Sequence, residues 1–414
     1  MMKQRDIDIL RRLGAKKAEI AALPVQKKNI QLWTDTNDLK PCPAPVFINE
    51  LPGNEMNFDG SLDLHCEDPL ARGIEGGLRW ELYCWKNLPG NMVVSPYMES
   101  PLFVNDTGIG ITEDSDLISW EPSGVASRRF HVQISDEKDI EKIKDPVITL
   151  NREASDERLD IMKRIFDGVI PVYQTVVKGM WFTPWDNLIR LTGVEEAMID
   201  LIDRPDYVEA LVSRFVDSCM VRMKRYNELN LWASNNNNTR VGSGGYGYTS
   251  SLPNPDDNRV GAPTSALWGC GNAQIFSEVS PQMHWDFSLK YEMKWLSCFG
   301  MNYYGCCEQL HHKIGILSRI PNLRKISMSP WADIRKAAPQ CAGKYVLSIK
   351  PNPAIFISWD PEYARKELRR LLSEAEGCSA EIIMKDVSTL KYHPENLFAW
   401  AKIAVETAEE AFRG

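Results

Sequence analysis

The chain has 414 residues, 43% hydrophobic and 25% charged, which is enough to bury a large core and is ordinary for a globular protein. Its formal net charge of -8 argues against a broad nucleic-acid footprint. No run approaches the roughly 18 apolar residues that a membrane span requires.

The opening stretch MMKQRDIDILRRLGAKKAEIAAL is too charged for a secretory signal. Ile7, Leu10, Leu13 and Ile20 give it an amphipathic helical pattern, and a cytosolic protein is expected. Residues 24–45 are rich in Pro and polar residues and read as a connector. The ten cysteines are scattered, so most read as small buried apolar side chains; the adjacent pair Cys306–Cys307 is the exception.

Residues 45–49 (PVFIN) and 92–98 (MVVSPYM) read as strands, with a helix over Asp68–Trp85 between them. Residues 99–150 read as an irregular, β-rich elaboration of the kind that covers an active site or a partner surface. Helical spacing then covers Ala154–Phe166, followed by a strand at Val172–Val177 and two helices near Trp185–Ile202 and Arg204–Asn230. Leu231–Ser234 reads as a short strand. Residues 242–253, GSGGYGYTSSLP, read as a loop or lid without a phosphate-binding pattern. Ser280–Phe299 is helical.

The last third alternates strand and helix four times, with strands at Asn302–Cys306, Arg324–Met328, Tyr345–Ile349 and Glu381–Met384. Short apolar strands in such a series imply a parallel sheet buried on both faces. With the earlier candidates they make about eight, and a (β/α)8 TIM-type barrel over residues 45–414 is predicted, with residues 1–44 as an N-terminal helix and connector. An open α/β sheet is the alternative.

In a barrel, reacting groups sit just past the C-terminal ends of the strands. Those positions hold Cys306, Cys307 and Glu308, then Ser327–Pro330, then Lys350, then Lys385 and Asp386. Period-two alternation aims Tyr304, Cys306 and Glu308 one way and Cys307 the other, so Cys306 and Glu308 would share an ion if the strand runs that far; Cys307 joins if the backbone turns. Thiolate and carboxylate donors suit Zn2+. The competing reading packs Cys306 in the core and puts Glu308 at a helix start. Lys350 and Asp386 form either a buried ion pair or part of the catalytic set. His311 and His312 read as surface or capping residues. Tyr246, Tyr248, Trp268 and Tyr304 are candidates for a substrate pocket wall.

Three segments carry a family resemblance: PVYQTVVKGMWFTPWDNLIRLTGVEEAMIDLIDRPDYV (171–208), SPQMHWDFSLKYEM (280–293) and EIIMKDVSTLKYHPENLFAW (381–400). In order and spacing they resemble the uroporphyrinogen decarboxylase-like superfamily, in its cobalamin-dependent methyltransferase branch. That branch has a zinc site of His-x-Cys on one strand and a Cys on the last. The matching positions here are Cys306 and Glu308, or Cys307 after a one-residue shift, and Asp386, so positions match while ligand types differ. The Arg-rich N-terminal segment of true uroporphyrinogen decarboxylases is missing, as is a DxHxxG-type corrinoid motif. The resemblance therefore implies a metal-assisted methyltransferase taking a methyl group from a small methoxylated compound or methylated amine. The methyl group would pass to a corrinoid on a separate partner protein, with Glu308, Lys350 and Asp386 as the catalytic set and a homodimer as an option. A metal-free lyase or decarboxylase of the same fold and a non-catalytic binding protein are the alternatives.

Overall fold

The computed structural model describes residues 2–120 and 126–413. Twelve strands run in chain order: β1 Val46–Ile48, β2 Met98–Pro101, β3 Phe103–Asp106, β4 Ser115–Trp120, β5 Ala126–Phe130, β6 Ile148–Asn151, β7 Val172–Thr175, β8 Trp268–Gly271, β9 Met301–Tyr304, β10 Leu323–Met328, β11 Val346–Ile349 and β12 Ala380–Met384. Six of them form one parallel sheet in the order β1-β12-β11-β10-β9-β8, curled as a half-barrel. Its register sets Val46 beside Ile382, so the first strand is zipped onto the last.

The predicted eight-stranded ring is present only in part. β2 and β7 make a separate parallel pair, linked onward by single bridges at Val177–Trp232 and Phe182–Gly271. Leu231–Ser234 does not form a ladder strand. The free edge of β8 is instead taken by the side chain of Asn235, which accepts from Trp268 N and donates to Trp268 O, both at 2.9 Å. An amide side chain here does what a neighbouring strand's backbone would do. β3–β6 and β4–β5 are antiparallel pairs in the elaboration that begins at residue 99, the second pair lying between the strands of the first in the chain.

Residues 24–37, expected as a connector, form a helix. Here α1 is Gln4–Ala21 and α2 is Pro24–Asn37. Pro24 sits in the first turn, where a missing N–H costs nothing, so a proline-led segment reads as a linker yet starts a helix. α1 buries Ile9, Leu10 and Leu13 in a cluster with Ile74, Leu78 and Phe166. The helix Pro69–Asn87 is started by Asp68, whose carboxylate accepts from Leu70 N and Ala71 N. Gly193, at φ 82°, splits the expected helix Trp185–Ile202 in two. No helix among the described residues is long and apolar enough to cross a membrane.

One sheet face packs on helices through Ile326, Met328, Leu347, Ile349, Ile382 and Met384. The other carries Tyr303, Lys325, Ser327, Lys350 and Glu381, all buried. That polar face is covered by the glycine-rich segment, which is no lid. Gly245 N donates to Glu381, Lys325 Nζ donates to Tyr246 O, and Ser243 Oγ lies 2.8 Å from Tyr303 Oη. Lys325 and Glu381 pair at 2.8 Å with no exposure. A Cβ on Gly242, Gly244 or Gly245 would meet Tyr303, Glu381 or Trp33 at 2.3 to 2.5 Å, so bare backbone is required there.

Candidate active site

β9 ends at Tyr304, and the chain turns at Gly305, which has φ 101°. A Cβ there would collide with Leu310 at 2.3 Å and Ser327 at 2.9 Å. The turn ends the period-two alternation. Cys306 and Cys307 therefore come together, with sulfurs 3.6 Å apart, and Glu308 swings away.

Glu308 is fully buried. It accepts from Ala273 N at 2.9 Å and Cys306 N at 2.5 Å, which commits both oxygens to backbone amides. Burial pushes its carboxyl above the ordinary range, with those amides opposing. It thus clamps the turn that presents the thiols and does not share an ion with Cys306. Tyr304 is also fully buried, with its hydroxyl 2.9 Å from His284 Nε2 on the helical side of the sheet.

Past β12, Lys385 Nζ lies 3.3 Å from Cys306 Sγ, 3.0 Å from Asp386 Oδ2 and 3.4 Å from Glu50 Oε2. Cys307 Sγ lies 3.9 Å from Asp386 Oδ2. Arg240 Nη1 pairs with Glu50 Oε1 at 2.5 Å. The site is therefore Cys306, Cys307, Lys385, Asp386, Glu50 and Arg240, gathered from the ends of β9, β12 and β1 and from the residues just before the glycine-rich segment. Lys385, rather than Lys350, is the cation beside Asp386. Lys350 lies on the polar sheet face, donating to Ser327 Oγ at 2.7 Å and Tyr303 Oη at 3.0 Å. Ser327 Oγ in turn donates to Cys306 O at 2.6 Å, so Lys350 braces the thiol turn through one hydroxyl.

Glu50 and Asp386 both have left-handed backbone, at φ 55° and 56°. Such conformations are costly for these residues and gather at functional sites. The two carboxyls hydrogen-bond to each other. Burial alone would raise Glu50, but the hydrogen bond from Asp386 and the Arg240 guanidinium outweigh it and hold it down at about 2. Burial and the bond to Glu50 push Asp386 up. Of the two carboxyls, Asp386 is the one that holds a proton more readily. The hydrogen bond from Cys307 lowers Cys306 to about 7, helped by the Lys385 and Lys350 ammonium groups against burial. Donating that bond, together with burial, raises Cys307.

The zinc donors expected from the sequence do not fit one ion. Glu308 faces away, and the Lys385 ammonium lies against both Cys306 and Asp386, where a cation would bind. Among the described residues no group of three or more His, Cys, Asp or Glu side chains is arranged to hold a metal.

Of the expected pocket wall, Tyr246 lines a cavity of about 320 Å³ with Phe47, Asn49, Trp80 and Arg240, and Tyr248 packs edge-on against Tyr246. Trp268 is buried, donating Nε1–H to Gly247 O at 2.7 Å. A separate cavity of about 350 Å³ beneath the elaboration shares no residue with the thiol group. His311 and His312 pack on each other, with rings 5.0 Å apart. Glu50 and Arg240 did not stand out in the sequence, and Lys385 was placed at a strand end without a role. Glu50 follows a strand-like run as Asp386 does, and that shared position was the available signal.

No family model matches the chain, and no curated protein matches it. Among solved structures it is similar to a methyltransferase from Methanosarcina mazei, at 12% identity and a TM-score of 0.50, over 92% of this chain and 98% of that one. At that identity the likeness is one of fold.

Proposed function

We propose that the chain is a methyltransferase that removes a methyl group from a small methoxylated compound or methylated amine, for transfer to a corrinoid carried by a separate protein. The observation that carries this reading is the Asp386 carboxyl at the strand ends, 3.0 Å from Lys385 and paired with Glu50, where burial and Glu50 push its pKa up. Breaking a methyl–oxygen or methyl–nitrogen bond leaves an electron pair on the heteroatom, and a nearby acid lowers that barrier. A low-valent corrinoid, when docked, supplies the electron pair that bonds to the carbon. Asp386 gives its proton to the departing heteroatom, and Glu50 with Arg240 holds that proton in position beforehand. Lys385 keeps the thiolate and the carboxyl pair electrically balanced. The fold likeness to a methyltransferase supports the same reading.

Asp386→Asn tests it, with turnover assayed on a graded series of methoxyarenes and a low-valent corrinoid. The variant should fold normally and lose about 10²–10⁴-fold in kcat on unactivated donors, and much less on nitro-substituted ones whose leaving oxygen needs no proton. An equal loss across the series removes Asp386 as the acid. Zinc content should fall well below one per chain; stoichiometric zinc would instead assign Cys306, Cys307 and Asp386 as its ligands.

A further inference from the structure

β1 stands off the helix Pro69–Asn87, leaving the cavity of about 320 Å³ between them. Phe47, Trp80, Leu88 and Tyr246 give it flat apolar walls, with Phe47 and Tyr246 edge-on at 5.0 Å. Arg240 and Asn238 supply polarity. The size and lining are those of a small-molecule site.

The Arg240 guanidinium is only partly used. Nη1 pairs with Glu50, and Nε donates to Gly244 O at 3.3 Å. Nη2 is buried and has no hydrogen-bond partner among the described residues. Buried donors are normally satisfied, so an unpaired one on a cavity-lining residue is a place for a ligand acceptor. The charge of Arg240 is already matched by Glu50, and the Glu81 carboxylate also lines the cavity. An anion would gain little there, whereas a neutral oxygen would satisfy Nη2. Ile48 and Asn49 line the cavity and Glu50 follows directly, so a ligand at Arg240 ends one carboxylate away from Asp386.

We propose that this cavity holds the ring of a small neutral aromatic compound whose oxygen accepts from Arg240. This names the donor class for the methyl-transfer reading and rests on it for the chemistry of that oxygen. The helix offers a direct block: a Cβ on Gly77 meets nothing within 4 Å, so Gly77→Leu extends a side chain into open space at the cavity wall.

Ligand-observed NMR on the full chain would use methoxybenzene, benzoate and cyclohexyl methyl ether as probes, with far-UV circular dichroism as the folding check. Methoxybenzene should bind in preference to both others. Gly77→Leu should weaken it by about tenfold or more. Arg240→Lys, which keeps a cation for Glu50 and loses Nη2, should weaken it severalfold. Unchanged binding in both variants, or preference for benzoate, overturns the proposal. Binding that follows these variants without any methyl transfer supports the cavity and removes the methyl-transfer reading. Methyl transfer with an unmoved KM in Gly77→Leu does the reverse.

Discussion

Two neighbouring cysteines of one chemistry have their acidities driven in opposite directions by position alone. Cys306 accepts the hydrogen bond from Cys307, with Lys385 at 3.3 Å, and falls from 9.0 to about 7; Cys307, the donor, rises. Because the native pKa of Cys306 is lowered, its thiolate stabilises the fold fully above the unfolded value. That contribution shrinks as pH falls through about 7. Titration of the ultraviolet thiolate band should show one step near pH 7 that is absent in Cys306→Ser and retained in Cys307→Ser. The stability gap between wild type and Cys306→Ser should widen between about pH 7 and 9. A step that survives in Cys306→Ser would move the thiolate elsewhere. The motif MNYYGCCE was legible as a cluster of donors, but its pairing was not. Strand alternation joins Cys306 to Glu308 only if the strand continues, and Gly305 ends it. Glycine at that position was visible in the sequence; its positive φ was not.

The glycine-rich segment shows the same limit at the level of an element. Its composition reads as mobile, yet Ser243, Tyr246 and Gly247 are buried or nearly so, as are Gly242–Gly245 against the polar sheet face. A sheet face bearing Lys325 and Glu381 needs partners that a side-chain core cannot supply, and exposed backbone amides supply them. Gly245→Ala places a methyl 2.3 Å from the fully buried Trp33 ring. It should cost about 1–3 kcal/mol in urea unfolding. Gly73→Ala, in the helix Pro69–Asn87 where a Cβ meets nothing within 4 Å, should be neutral or stabilising by up to about 1 kcal/mol. Equal effects would mean that helix propensity and not close approach governs both. The strands β9–β12 were legible because each is a short apolar run; Leu231–Ser234 was lost because the edge it would pair with is met by the Asn235 side chain, which no period records.

In the whole molecule the C-terminal strand–helix series carried the fold in the sequence, while the closure of the sheet did not show. Closure depends on contacts between distant segments, such as Val46 with Ile382 and Lys325 with Glu381. Lys325→Met leaves Glu381 buried with Gly245 N as its remaining partner, and should cost about 3–5 kcal/mol in urea unfolding. Adding Glu381→Leu should recover most of that loss. A single variant as stable as wild type would show that the pair is dispensable. The seat of α2 has a further consequence. Trp33 lies against Gly245, Asn37 donates to the carbonyls of Tyr246 and Tyr248, and Arg324 donates to Asn37 O at 2.5 Å. The tryptophan of this helix thus waits for Gly245, about two hundred positions later in the chain, before that face of its ring is sheltered. Until then the nascent chain carries that ring face uncovered, so its packing is a late, long-range step of folding and chaperone capture would fall on residues 24–37.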